Sequence, residues 1–493
     1  MADYILAIDQ GTTSSRAVVF DGMGRPLGTA QKAHRQIFPQ AGWVSHDAEE
    51  IFANVMGVCG EALAKAGVSR EDLAAVGITN QRETLVLWDG RTGEPVCDAL
   101  VWQCRRSADI CARMEADGMA PLVKERTGLL IDPYFTATKV KWALDNVPRV
   151  RELMEQGHLR AGTIDSFLVF RLTGGKAHIT DYTNASRTML FDIMKGCWDE
   201  DILGYFGIDA GILPRVVASS GVLAHSDELG APIAGIAGDQ HAALFGQGAF
   251  TAGDAKNTYG TGCFLLKNIG STAGTGGQLL TTVAWHINGE TTYALEGGIF
   301  NAGSAVEWLM REMKLVRDVA EINEICMRTP NTDGAYFVPA FSGLGAPYWD
   351  MYARGTVCGL NLSTGREHIV RAVMESVAFQ SRDLIEHMNE VSGLPLTKLQ
   401  VDGGVSRSDF TMQFQADLLG IPVERPRYTE TTVLGACYLA ALGVGLYSDV
   451  SELSRSREID RVFEPVGAGA AMEERYLLWK KAVGRAGGWL SGS

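Results

Sequence analysis

Three short stretches of the chain carry side chains in patterns that could handle a phosphate ester. The first is Asp9-Gln10-Gly11-Thr12-Thr13-Ser14-Ser15, set between the apolar runs Tyr4 to Ile8 and Arg16 to Phe20. This order reads as strand, tight turn and strand. Gly11 lets the turn backbone approach a ligand closely, while the threonines and serines supply hydroxyl and amide donors suited to phosphate oxygens. Asp9, at the strand's end, has the chemistry to hold a hydrated Mg²⁺ beside them. Taken alone, the same letters also describe a polar hairpin turn without a ligand. The second stretch repeats the form: Asp254 to Tyr259, then Gly260-Thr261-Gly262-Cys263, then Phe264-Leu265-Leu266. Two such turns, one in each domain, would grip a polyphosphate from both sides of a cleft.

The third stretch is the strand Ile233 to Gly238, which delivers Asp239-Gln240-His241 to the start of a helix. An Asp there serves either as an N-cap or, at the C-terminal end of a strand in an α/β fold, as a general base. Arg82-Glu83 follows another buried strand, Ala75 to Thr79. A guanidinium that donates beside a carboxylate that accepts suits a polyhydroxyl ligand, although a solvated surface pair has the same letters. Trp102, after the strand Ala99 to Val101, reads as an apolar wall or as core. Ala302-Gly303-Ser304 and Asp402-Gly403-Gly404 each bring backbone close to something flat or anionic, or close to a packed helix.

The elements that position these groups alternate between strand and helix, which predicts an α/β chain. Asp21 to Pro26 forms a turn into a third strand. Asp47, with Glu50 three residues on, caps a helix whose apolar positions are Ile51, Val55, Cys59 and Leu63, and Gly67 ends it. Tyr134 precedes a helix containing Lys139, Lys141 and Trp142, and Gly162 to Ser166 is a strand entering a helix. Gly246-Gln247-Gly248 marks the boundary between residues 1–247 and 248–493, because the chain there starts over. Gly303 opens a helix with Val306, Leu309, Met310 and Met313 on one face. Ser408-Asp409 opens another, through Met412, Phe414 and Leu418. The small-residue stretch Leu434 to Leu442 reads as a core helix, and the Gly-rich tail from Gly484 as frayed.

Composition narrows the function classes. At 493 residues the chain exceeds one ordinary core, so two domains are expected. A net charge of -14 argues against nucleic acid and anionic membrane as partners, since both require a positive field. Nine cysteines without a C-x-x-C pair fit reduced thiols better than a disulfide or zinc framework. Neither a signal-peptide pattern nor an apolar run of ~18 residues is visible, so a cytoplasmic location without stable membrane insertion is expected.

P-loop, protein-kinase, Rossmann and G-x-S-x-G readings fail for lack of their residues. Instead, Asp9 to Arg16, Gly77 to Glu83, Val101 to Arg106, Asp181 to Arg187, Gly238 to Gln240 and Asn257 to Phe264 resemble, in order, the motifs of the FGGY carbohydrate kinases. Among these they are most similar to members that phosphorylate glycerol. Family signatures also lie around Tyr134 to Trp142 and from Gly355 to Glu375. The resemblance, running from Tyr4 to Leu442, implies two actin-like (ribonuclease H-like) domains flanking a catalytic cleft, glycerol and ATP as substrates, and a homo-oligomer (dimer or tetramer). It makes Asp239 the base that takes the proton of a terminal hydroxyl. Arg82, Glu83, Tyr134, Asp239 and Gln240 would bind the polyol, with Trp102 and Phe264 covering its carbons. Thr12, Thr13, Ser14, Arg16, Gly260, Thr261 and Gly262 match phosphate contacts, Asp9 the Mg²⁺ position, and Gly303, Glu307, Gly404 and Ser408 the adenosine side.

Two departures bear on the nucleotide: Ser408 stands where relatives often have Asn, and Glu307 where some have Gln. The connection Glu228 to Pro232 is short beside the loop by which some members bind fructose 1,6-bisphosphate, so that inhibition is expected to be absent. The rivals are a kinase of the same family acting on a ketopentose or another polyol, and an actin- or chaperone-like ATPase, which would have no use for Asp239 beside a polyol set.

Overall fold

Two open sheets, each begun by a hairpin, frame the molecule. The computed structural model describes residues 3–274, 276–467 and 469–490. The first sheet has six strands, in the order Ser220–Ser226, Ala231–Gly238, Leu73–Asn80, Tyr4–Gln10, Ser14–Phe20 and Pro26–Ala33. The second has seven, in the order Leu280–Ile287, Glu290–Ile299, Cys263–Gly270, Ala255–Tyr259, Leu399–Asp402, Val423–Pro426 and Ile459–Phe463. In each, a central strand pairs antiparallel with the strand that follows it and parallel with a later one on its other side. The repeat read from the two Gly/Thr turns is therefore a repeat of topology.

Tyr4 to Ile8 lacks polar alternation because both faces of its sheet are covered. Leu6 and Ile8 join a core with Ile51, Val55 and Leu63 of the helix Ala48–Ala66, while Ile5 and Ala7 face Ala436 and Ala440 of the helix Thr431–Gly443. The second helix comes from the other half of the chain. It sits so close that a Cβ on Gly77 would lie 2.2 Å from the Ala436 carbonyl oxygen, and one on Gly435 would lie 1.8 Å from that of Ala242. The expected small-residue core helix is thus a core between halves, and its glycines are sites of backbone contact.

A smaller four-stranded sheet, containing Leu85–Asp89, Ala99–Leu100 and Leu159–Thr163, is inserted beside the first. Leu159–Thr163 is the strand expected to enter a helix; it runs antiparallel to Leu85–Asp89 here and does not extend the large sheet. With the helix Thr136–Asn146 it forms its own core around Phe135, Val140 and Leu144.

Local expectations meet three differences. Asp47 accepts from the Glu49 and Glu50 amides, but the Glu50 carboxylate turns to Arg35 at 2.8 Å and does not complete a capping box. A guanidinium is a stronger partner than the cap's own amide. The helix from Gly303 stops at Arg311, leaving Met313 exposed beyond it. At the other end, Gly484 does not begin a frayed tail: the helix Ala470–Ala486 continues through it because Val483 and Ala486 are buried. Residues 491–493 of that tail lie outside the described residues. No described helix is long and apolar enough to cross a membrane.

Candidate active site

Parallel register places the chemistry on one edge. Asp9 lies opposite Thr79 and Gln10 opposite Asn80, while Asn80 also lies opposite Gly238. Three neighbouring strands therefore end at one level, releasing Asp9, Arg82-Glu83 and Asp239 side by side at their C-terminal ends. In the second sheet Thr258 pairs with Asp402, so the turn Gly260 to Gly262 and Gly403-Gly404 also emerge together.

Beneath Asp239 lies a buried cluster of charges. Arg82, only 3% exposed, donates to Glu296 at 2.5 and 3.0 Å, and its Nε lies 3.1 Å from Asp239 Oδ1. Arg187, fully buried, donates to Glu83 at 2.7 Å and to Glu296 at 3.3 Å. Two guanidiniums thus face two carboxylates, the pairing that a low-dielectric interior requires, although the buried Arg187 Nη1 is left without a partner. Burial alone would raise Glu296, but Arg187 and Arg82 together outweigh it and hold the carboxyl well below its usual range. Asp239 is the most open acid of the set, at 29% exposure against 2% for Glu83 and 3% for Glu296.

Tyr134 completes the side that the sequence resemblance assigns to the polyol. Its hydroxyl accepts from Arg82 at 3.5 Å and its ring meets Trp102 edge-on, with centroids 5.5 Å apart. Trp102 is half-buried, and its indole N–H donates to Thr12 Oγ1 at 2.9 Å, tying the aromatic wall to the phosphate turn. Phe264 is half-buried on the opposite hairpin, paired with Thr258 and Gly298. Gln240, next to the acid, accepts from Lys256, whose ammonium also donates to Thr258 Oγ1 at 2.8 Å and to the Phe264 carbonyl at 3.2 Å. Lys256 thereby joins the segment bearing Asp239 to the second hairpin. Burial depresses it to about 8, against the pull of Asp402, Asp239 and Glu296.

Each turn closes on a backbone hydrogen bond of its own. The Gly11 amide donates to Ser14 O at 2.9 Å, and the Gly260 amide to Gly262 O at 2.8 Å. Thr13, Gly260 and Thr261 are exposed, as a phosphate cradle requires. Gly303 has a packing duty: its amide bonds Gly260 O at 3.0 Å, and a Cβ there would approach that oxygen to 2.5 Å. Burial, aided by Asp239 and Glu430 and opposed by Arg16, lifts Asp9 to about 7.

Three residues assigned to the nucleotide are placed differently from their neighbours. Arg16 is engaged by Glu430 and by Gln31 at 3.1 Å, so its charge ties the first hairpin to the start of the helix Thr431–Gly443. Ser14 Oγ accepts from Gln31 at 2.8 Å. Ser408 caps the helix Asp409–Leu419: it is 3% exposed, donates to Asn323 at 2.6 Å and accepts from the Thr411 amide and hydroxyl. That hydroxyl has no capacity left for a nucleotide. Glu307 and Gly404 are exposed.

The motifs, the duplicated topology and the strand-end acid agree with sequence-family models. The N-terminal domain of the FGGY family of carbohydrate kinases matches residues 4–246, and the C-terminal domain matches residues 255–444. The chain belongs to this family. It is similar to the glycerol kinase of Symbiobacterium thermophilum, 54% identical over 99% of both chains, and to glycerol kinase 2 of Thermotoga maritima, 52% identical with the same coverage. Among solved structures, Plasmodium falciparum glycerol kinase with ADP superposes with a TM-score of 0.93 at 35% identity over 98% of each chain. The xylulose kinase of Rhodospirillum rubrum, at 23% identity and TM-score 0.86, shares the fold. The architecture is the two-domain actin-like fold of FGGY kinases.

Sequence reading missed Glu296 and Lys256 and assigned no role to Arg187. The signal was available: Glu296 stands in Tyr-Ala-Leu-Glu-Gly-Gly-Ile and Lys256 in a short strand ending at a glycine turn. A charge at an inward position of a buried strand requires a partner.

Proposed function

We propose that this kinase transfers the γ-phosphoryl group of ATP to a terminal hydroxyl of glycerol, giving sn-glycerol 3-phosphate and ADP. The observation that carries it is the half-open Asp239 carboxylate, oriented by the buried Arg82 at the same strand-end edge as Asp9 and next to Gln240, which Lys256 ties to the second hairpin. Glu83, Arg82 and Tyr134 hold the polyol hydroxyls, and Trp102 and Phe264 cover its carbons. Asp239 takes the hydroxyl proton as the oxygen bonds the γ-phosphorus and the bond to the β-phosphate oxygen breaks. Little covalent work is asked of the protein, so positioning and charge neutralisation dominate.

Asp9 fits a divalent cation. Its carboxyl, lifted to about 7 by burial and by neighbouring acids, is a charge that lacks a partner of its own apart from Arg16. No group of three or more acidic, His or Cys side chains clusters among the described residues, which suits Mg²⁺ held by one carboxylate, water and phosphates. When bound, Mg²⁺ supplies neutralisation of phosphate charge. Residues 1–247 and 248–493 are the two domains, and the helix Thr431–Gly443 of the second packs under the first sheet.

The test is ADP release from Mg-ATP with glycerol, xylulose, ribulose, erythritol or no acceptor. Glycerol is expected to stand well above the rest; a rate equal to the blank would refute the reading, and a ketopentose optimum would favour the rival within the family. Asp239→Asn is expected to abolish transfer while Mg-ATP still binds.

A further inference from the structure

A second concavity lies behind the first hairpin, away from the cleft. It has a volume of about 680 Å³ and is bounded by the turn Gly22 to Pro26, the segment Pro426 to Tyr428, and residues Leu446 to Glu458. Its charge runs against that of the chain: four arginines, Arg25, Arg427, Arg455 and Arg457, face two glutamates, Glu452 and Glu458, in a protein of net charge -14. Arg427 is paired with Glu458 at 3.3 Å, whereas Arg25 and Arg455 form no ion pair among the described residues. Tyr428, Tyr438 and Tyr447 supply an aromatic wall.

Arg457 is the decisive group. Its side chain is 10% exposed, one Nη bonds Glu424 at 2.7 Å and the other bonds Gln247 Oε1 at 3.1 Å, yet its buried Nε has no partner. A buried guanidinium N–H without a partner is destabilising, and an anion entering this pocket would satisfy it. The volume is within the range of small-molecule sites and exceeds what a lone ion fills.

We propose that this pocket binds a phosphorylated small molecule, its phosphate held by Arg25, Arg455 and Arg457 and its organic part lying against the tyrosines. The site reports to the cleft by two routes. Arg457 holds Gln247, which donates to Asp402 at 3.1 Å where the two domains join. Tyr428 packs edge-on against Phe20, and Glu430, two residues on, pairs with Arg16 of the phosphate turn. An occupant that draws Arg457 towards itself thus acts on the Gln247–Asp402 contact and on the hairpin bearing Asp9. The inference does not depend on which polyol is the acceptor.

Calorimetric titration of the full chain with inorganic phosphate tests it, with the cleft first saturated by glycerol and a magnesium complex of a non-hydrolysable ATP analogue. Saturable binding is expected, weakened about tenfold or more in R25A/R455A, whose positions are exposed and whose melting temperature should not move. Asp239→Asn should bind phosphate as the unsubstituted protein does. No saturable binding, or equal affinity in R25A/R455A, would overturn the proposal.

Discussion

Replacing Glu296 by Gln keeps the shape of the buried cluster and removes one of its two carboxylates. Arg82 and Arg187 would then share Glu83 alone, with Asp239 drawn inward as the remaining acid 3.1 Å from Arg82 Nε. Removing one partner of a buried pair costs ~3–5 kcal/mol, because a charge is left uncompensated. At roughly 2–4 °C per kcal/mol for a large domain, the melting temperature should fall by on the order of 10 °C. Turnover should fall about 10²-fold, because Asp239, the proposed base, is pulled from the position it needs. Calorimetry and glycerol-dependent ADP release measure the two effects. A pH series adds an independent sign. Glu296 is held below its ordinary 4.5, so its stabilisation is present above that pH and is lost as pH falls below it. E296Q should lack that acid-sensitive component. Adding R187M restores charge balance around Arg82 and Glu83 and should recover part of the lost stability. If E296Q melted within ~1 kcal/mol of the parent and turned over normally, the cluster would have no bearing on the base.

Asp9 gives a pH-dependent prediction for the metal nucleotide. Its carboxyl is lifted to about 7, so below that pH it must lose a proton before it can hold a cation. The KM for Mg-ATP should rise by up to ~tenfold per unit as pH falls from 7, and should be flat with pH in Asp9→Asn. Lys256 works with the opposite sign: depressed to about 8, it should make the protein gain stability as pH rises from 8 towards 10.5, and Lys256→Met should remove that gain in a melting series. Gly435→Ala would place a methyl 1.8 Å from the Ala242 carbonyl oxygen and should cost about 1–3 kcal/mol or more, read by denaturant unfolding. Fructose 1,6-bisphosphate should not inhibit ADP release; inhibition at low millimolar concentration would show that the short Glu228 to Pro232 connection does not exclude it.

Much of the frame was legible locally. The strand, turn and strand around Gly11 and again around Gly260, the capped helix after Asp47, and Asp239 at a strand's end depend on hydrophobic period, glycine and capping chemistry, all written within a few residues. What could not be read were the partners. Arg82 and Glu83 are adjacent in sequence and looked like each other's counter-ion, yet they are 3.8 Å apart while Arg82's close partner is Glu296, 214 residues on. Ser408 stood where a nucleotide contact was expected, and only packing shows its hydroxyl spent on Asn323 and a helix cap. The helix Thr431–Gly443 read correctly as core, but whose core it was depended on glycines in both halves that let it lie under the first sheet. Local sequence determined where each chemical group leaves its strand. Tertiary structure decided which charges meet, because pairing in a desolvated interior is set by distance in space, and the chain carries no local record of it.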